Sequence, residues 1–107
     1  FLGAAYYRVP IVIDGFISSA AALIAYKLNP LTKEYMIPSH ASKEPGFNLI
    51  MKELKLEPMF NLNMRLGEGS GCPLTFDLID AASDIMCNMA TFEEASIVDD
   101  YLIDIRW

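Results

Sequence analysis

The period of the apolar positions changes several times along the chain, and each change marks a new element. Phe1-Leu2-Gly3-Ala4-Ala5-Tyr6-Tyr7 reads as the end of a helix. Val9-Pro10-Ile11-Val12-Ile13 is a continuous, largely β-branched apolar run closed by Asp14-Gly15. Such a run suits a strand buried on both faces of a parallel sheet. Phe16 to Leu28 is rich in Ala and Leu and stops at Asn29-Pro30, which predicts a helix with Ser18 or Ser19 as its cap. A second short strand is predicted at 35–37, ending at Pro38-Ser39-His40. After Pro45-Gly46, Phe47, Ile50, Met51 and Leu54 fall on one helical stripe. Asn61 to Leu66 alternates polar and apolar residues, which predicts a short strand or extended segment. Pro73 suits the first turn of a long helix over Leu74 to Met89.

Helices alternating with short apolar strands predict an α/β fold with right-handed crossovers. Two or three strands make a poor sheet alone, and the chain opens on Phe1 in an apolar run. The expectation is a C-terminal fragment of a doubly wound, mainly parallel sheet with flanking helices. Residues 1–107 then form a single α/β segment of a longer protein. Residues 92–107 form an acidic tail whose Glu93, Glu94, Asp99, Asp100 and Asp104 face solvent. A cut sheet leaves an open edge and an apolar face, so the isolated chain is expected to associate, as a homo-oligomer.

Composition narrows the partners. Hydrophobic residues make up 53% and charged residues 21%, the balance of a folded domain. The net charge is −6 and no basic stripe is interleaved with aromatics, which argues against nucleic acid. Phe16 to Tyr26 is the longest uncharged apolar run and is too short to span a bilayer. No secretory pattern is present, so the expected location is cytoplasmic. Cys72 and Cys87 read as free thiols in a reducing compartment. With the single histidine, His40, they match no metal-site spacing, so neither a metal nor a cofactor is expected.

The candidate chemistry centres on Gly67-Glu68-Gly69-Ser70-Gly71. Three glycines in five residues permit positive φ and close approach of a ligand. The loop feeds a helix N-terminus, which favours anions. No Gly-Lys-Ser/Thr follows, so this is not a Walker loop. If the preceding segment is extended, Leu62, Met64, Leu66 and Glu68 share one face. A flat aromatic substrate could then lie on Met64 and Leu66 with its N–H directed at Glu68, and the apolar wall would make that carboxylate a stronger base. The competing reading is a solvated loop carboxylate. Asp14, just past a parallel strand, sits where α/β sheets bind ligands, or else caps the next helix. Ser39-His40-Ala41-Ser42-Lys43 follows the second strand at the same edge, as a polar turn or as a cradle for phosphate or ribose. The methionines read as core filler.

Several of these segments, in order and in register, resemble one family. Leu2-Gly3-Ala4-Ala5, Val9 to Ala22, Ser39-His40-Ala41-Ser42, Glu57-Pro58 and Met64-Arg65-Leu66-Gly67-Glu68-Gly69-Ser70-Gly71 are similar to nicotinate-nucleotide–dimethylbenzimidazole phosphoribosyltransferases, from the first residue to about Met89. The resemblance implies a transferase that passes ribosyl phosphate from nicotinate mononucleotide to 5,6-dimethylbenzimidazole, releasing nicotinate and forming α-ribazole 5′-phosphate, in cobalamin lower-ligand synthesis. It implies that Glu68 is the general base; beside it, the residues' own pattern makes Met64, Leu66, Gly67, Gly69, Asp14 and Ser42 the expected substrate contacts. The family's phosphate loop, of the kind Gly-Glu-Met-Gly-Ile-Gly-Asn-Thr, lies upstream and is absent here, so the chain by itself is expected to be inactive. The competing function is a non-catalytic nucleotide-binding or assembly module.

Overall fold

A computed structural model describes residues 1–97. Its elements are α1 (Leu2–Tyr6), β1 (Ile11–Ile13), α2 (Phe16–Leu28), a 3₁₀ helix (Pro30–Tyr35), β2 (Met36–Pro38), α3 (Pro45–Leu54) and α4 (Gly71–Asn88). The two strands pair in parallel, Ile11 opposite Met36 and Ile13 opposite Pro38, with α2 in the crossover between them. This is the expected α/β arrangement. The sheet is extended on the far side of β2, where Ala41 N–H donates to the Phe60 carbonyl at 2.7 Å and Phe60 N–H donates to the Ser39 carbonyl at 3.0 Å. His40 and Phe60 form a parallel bridge there.

Local chemistry explains the boundaries. Gly15 is the N-cap of α2, and Ser18 reaches back so that its Oγ accepts from Gly15 N–H at 3.0 Å. Neither serine is itself the cap; Ser18 lies three residues inside, where a side chain meets the cap's own amide. At the other end Asn29 is extended, φ −150°, as expected of a residue that precedes proline. Its Oδ1 accepts from Leu31 N–H at 3.1 Å and so starts the 3₁₀ helix, which the sequence pattern does not predict. Pro45 takes the first position of α3, where its missing N–H costs nothing.

The core lies between α2, α3 and the strands. Ile13, Ala22, Ala25, Met36, Phe47, Met51 and Leu54 are buried, and Phe47, Ile13 and Leu54 are the largest fully enclosed apolar side chains among them. Small Ala22 and Ala25 let α2 approach, and the stripe Phe47, Met51, Leu54 of α3 fills the space opposite. An exposed Lys27–Glu53 ion pair bridges the same two helices and, being solvated, adds little. The first strand is less enclosed than its composition predicts. Val9 and Pro10 stay outside it and are exposed, and only Ile13 is fully buried, because among the described residues β1 has a partner strand on one side only.

Two further expectations are corrected. Asn61–Leu66 forms no strand among the described residues, because Asn63 (φ 56°) and Leu66 (φ 52°) enter the left-handed region and break the alternation of faces. The last helix, expected from Leu74, begins at Gly71, with Pro73 in its first turn as expected. Residues 92–97 are exposed as expected of the tail, while Asp99, Asp100 and Asp104 lie outside the described residues. Among those described, no helix is long and apolar enough to cross a membrane.

Candidate functional site

Parallel pairing brings the carboxyl ends of β1 and β2 to one edge, and the chain leaves each strand with a polar residue: Asp14 after β1, Ser39 and His40 after β2. That edge is where open α/β sheets assemble their sites. The Gly67–Gly71 loop folds over it. One Asp14 carboxylate oxygen accepts from Gly69 N–H at 2.8 Å and the other from Gly71 N–H at 3.1 Å. The carboxylate therefore grips the loop on the C-terminal side of Glu68 and also satisfies an amide in the first turn of α4, where a negative charge suits the helix dipole.

Beneath the loop lies His40, 1% exposed. Its Nδ1 is 3.2 Å from Ser39 Oγ and 3.8 Å from an Asp14 carboxylate oxygen, and its Nε2 is buried without a hydrogen-bond partner. Ser39 Oγ in turn donates to the Ile13 carbonyl at 2.8 Å, so the histidine is fastened to β1. The ring explains two of the glycines. A Cβ on Gly71 would collide with His40 Nδ1, and one on Gly67 would stand 3.1 Å from His40 Cε1 and 3.3 Å from Asp14 Oδ2. Gly69 serves a different need, a φ of +89° with open space around it.

The same loop is strained. Leu66 (φ 52°) and Glu68 (φ 49°) are both left-handed without being glycine. Each costs about 1–2 kcal/mol, and such residues persist where surrounding contacts over-determine them. The Asp14 hydrogen bonds are contacts of that kind.

Between the loop and the start of α2 lies a cleft of about 600 Å³, within the range of small-molecule sites. Phe1, Phe16, Ile17, Ala21 and Leu66 give it apolar walls; Asp14, Ser42, Glu44 and Glu68 supply the polar groups. The structure thus brings Asp14, Ser42, Leu66, Gly67, Glu68 and Gly69 to one cavity. Met64 is not part of the lining. Its backbone carbonyl accepts from Lys43 N–H at 2.9 Å, which ties the 61–65 segment to the turn after β2. Glu68 is exposed, and of the apolar residues expected beside it only Leu66 reaches the cleft. Ser42 is buried, its Oγ accepting from Glu44 N–H at 3.3 Å.

Just beyond the loop, Cys72 has its thiol pKa raised, first by burial and then by the nearby Asp14 charge. Among the described residues, no group of three His, Cys, Asp or Glu side chains is placed to hold a metal ion. Sequence reasoning misses the His40 ring and Phe16 as parts of this site. The available signal for His40 is its position at the carboxyl end of a strand parallel to the one that ends at Asp14.

A family profile described as Phosphoribosyltransferase matches residues 1–97. The chain is 61% identical over 106 residues to the nicotinate-nucleotide–dimethylbenzimidazole phosphoribosyltransferase of Clostridium perfringens (strain ATCC 13124), covering 99% of this chain and 29% of that protein. It is 63% identical over 97 residues to the protein of the same name from Clostridium acetobutylicum, covering 91% of this chain and 28% of the relative. A crystal structure of the enzyme of that name from Thermus thermophilus superposes with a TM-score of 0.83 at 38% identity, over 91% of this chain and 29% of that one. The chain therefore spans less than a third of the length of the relatives it matches.

Proposed function

The chain belongs to the phosphoribosyltransferase family, and from that premise we propose that the whole protein transfers the phosphoribosyl group of nicotinate mononucleotide to 5,6-dimethylbenzimidazole. The products are α-ribazole 5′-phosphate and nicotinate. The observation that carries this reading is Glu68 on a strained glycine loop at the mouth of an apolar-walled cleft, in a chain 61% identical to an enzyme named for that reaction.

The chemistry asked of the site is modest. One benzimidazole nitrogen attacks the anomeric carbon as the bond to the nicotinate nitrogen breaks, and that electron pair returns to the leaving ring. The other benzimidazole N–H becomes acidic as the first nitrogen acquires positive character, and Glu68 takes the proton. Phe16, Ile17 and Leu66 offer the apolar surface that a flat bicyclic base requires. Ser42, buried at the strand-end turn, is the candidate to hold the phosphate.

The rest of the protein completes the substrate site and continues the β1–β2 pair into a doubly wound, mainly parallel sheet. On this reading the 107-residue chain is inactive alone. Free Cys72 and Cys87 suit a cytoplasmic setting, and the exposed apolar side chains on α2 and α4 suit a homo-oligomer.

The test is steady-state kinetics of Glu68→Gln in the full-length protein with both substrates varied. Glutamine keeps the size and reach of the side chain but takes no proton. The expected result is a kcat lower by about 10²–10⁴-fold with the KM for nicotinate mononucleotide little changed. Near-normal turnover would remove Glu68 from the mechanism.

A further inference from the structure

We infer that Asp14 is the positioning residue for Glu68, acting through the two loop amides it holds and supported from below by His40. The inference rests on the reading of Glu68 as the base and adds what fixes that base in place. Glu68 has no packing of its own to hold it, since it is exposed and sits at φ 49°. Both oxygens of Asp14 are engaged, by Gly69 N–H at 2.8 Å and Gly71 N–H at 3.1 Å. A carboxylate already holding two amides is occupied as a structural acceptor. Its grip falls immediately after Glu68, where it sets the direction of that side chain.

The support for Asp14 is equally specific. Its own carbonyl lies 3.0 Å from Ser39 Oγ, and its carboxylate lies 3.8 Å from the fully buried His40 ring. Gly67 and Gly71 close over the same ring. The end of β1, the end of β2 and the loop are thus locked around one imidazole. Any displacement of Asp14 is transmitted to the backbone on which Glu68 stands. Small misplacements of a reacting group are costly: about 1 Å corresponds to about 10²-fold in rate.

The experiment compares Asp14→Asn, Asp14→Glu and the double variant Asp14→Asn/Glu68→Gln in the full-length protein. Kinetics with both substrates are read beside amide hydrogen exchange over residues 67–71. Asparagine has one oxygen, so at least one of the two amides loses its acceptor. The expected result is faster exchange at Gly69, at Gly71 or at both, with kcat down about 10²-fold and the KM for nicotinate mononucleotide within about twofold of normal. Asp14→Glu keeps the charge and both acceptors on a longer arm, so it is expected to recover part of kcat. Because Asp14 acts through Glu68, the double variant should be no slower than Glu68→Gln alone.

A raised KM with kcat preserved would make Asp14 a substrate ligand and overturn the inference. Unchanged exchange in Asp14→Asn would overturn it as well, and so would additive losses in the double variant. Normal turnover by Glu68→Gln alone would instead strike the proposed base, while the exchange data would still report on the clamp. The two failures are therefore distinguishable.

Discussion

The two halves of the described chain are held by different forces. From β1 to α3, burial does the work: Ile13, Ala22, Met36, Phe47, Met51 and Leu54 share one core, and helix and sheet periods place them there. From Gly67 onward, burial is nearly absent. On the 18 residues of α4 only Gly71 and Thr75 are buried, both near its start, while Phe76, Leu78, Ile85 and Met86 are exposed. What seats this second region is polar: two amides on Asp14 and a loop folded over His40. The radius of gyration, 17.5 Å, exceeds the roughly 13 Å of a compact domain of 100 residues. The difference teaches that in this chain, taken by itself, the proposed base sits on the part that packing does not hold, and that a few directional contacts take over its positioning.

The sharpest way to break the comparison is to damage each region by one side chain and ask which property fails. Phe47→Ala removes the largest fully buried apolar side chain. The expected cost is about 3–5 kcal/mol of stability, read from the denaturant midpoint of the full-length protein. The kcat of the fraction that remains folded should be close to normal, since Phe47 does not line the cleft. A loss of turnover at full folding would show that the core and the loop are one cooperative unit, and the contrast would collapse.

A smaller effect on stability with a larger one on activity is expected in the loop. In Gly71→Ala the new methyl meets His40 Nδ1, and stands 2.9 Å from Ser39 Oγ, with both partners buried and unable to swing away. Overpacking of this kind costs about 1–3 kcal/mol, and kcat should fall because the loop must lift. Gly69→Ala is the control. It meets nothing within 4 Å and has only its φ of +89° to oppose it, a strain of about 1–2 kcal/mol. If the two substitutions lower kcat equally, close packing on His40 is not what seats the loop.

The legibility of the sequence follows the same divide. The helix Phe16–Leu28 is readable to the residue, because Ala-rich composition and the Asn29-Pro30 stop are local signals. The parallel relation of the two strands follows from two short apolar runs joined by a helix. The segment before the loop misleads. Its alternation of Leu62, Met64 and Leu66 mimics a strand, yet left-handed Asn63 and Leu66 turn the backbone so that Met64 leaves the cleft. Positive φ at Asn is a recognised tendency, but at Leu nothing in the residue announces it. His40 is hidden for another reason: its importance comes from glycines far along the chain that close over it, a contact without a period. Asp14 is legible as a strand-end residue, but its two amide partners, 55 and 57 residues away, are not.

The smallest expected effect reads the Asp14 carboxylate through its neighbour. The Cys72 thiol is held above its ordinary value of 9.0, by burial first and by the charge of Asp14 second. The thiolate is the form that alkylates, so a raised pKa makes Cys72 slow at any pH below its midpoint. Asp14→Asn removes the second cause and leaves the first. The pH–rate profile for iodoacetamide at Cys72, followed by mass spectrometry, should therefore shift to lower pH while staying above that of a free thiol. At a fixed pH below the midpoint, the rate should rise. The sign is decisive, because loss of a negative neighbour can only make the thiolate easier to form. A profile that does not move would mean that the Asp14 charge is not felt at the first turn of α4. The clamp that distinguishes the site region from the packed core would then lose its electrostatic signature. A shift all the way to free-thiol behaviour would mean that burial is lost too, with the loop and the first turn of α4 opening together once one acceptor is gone.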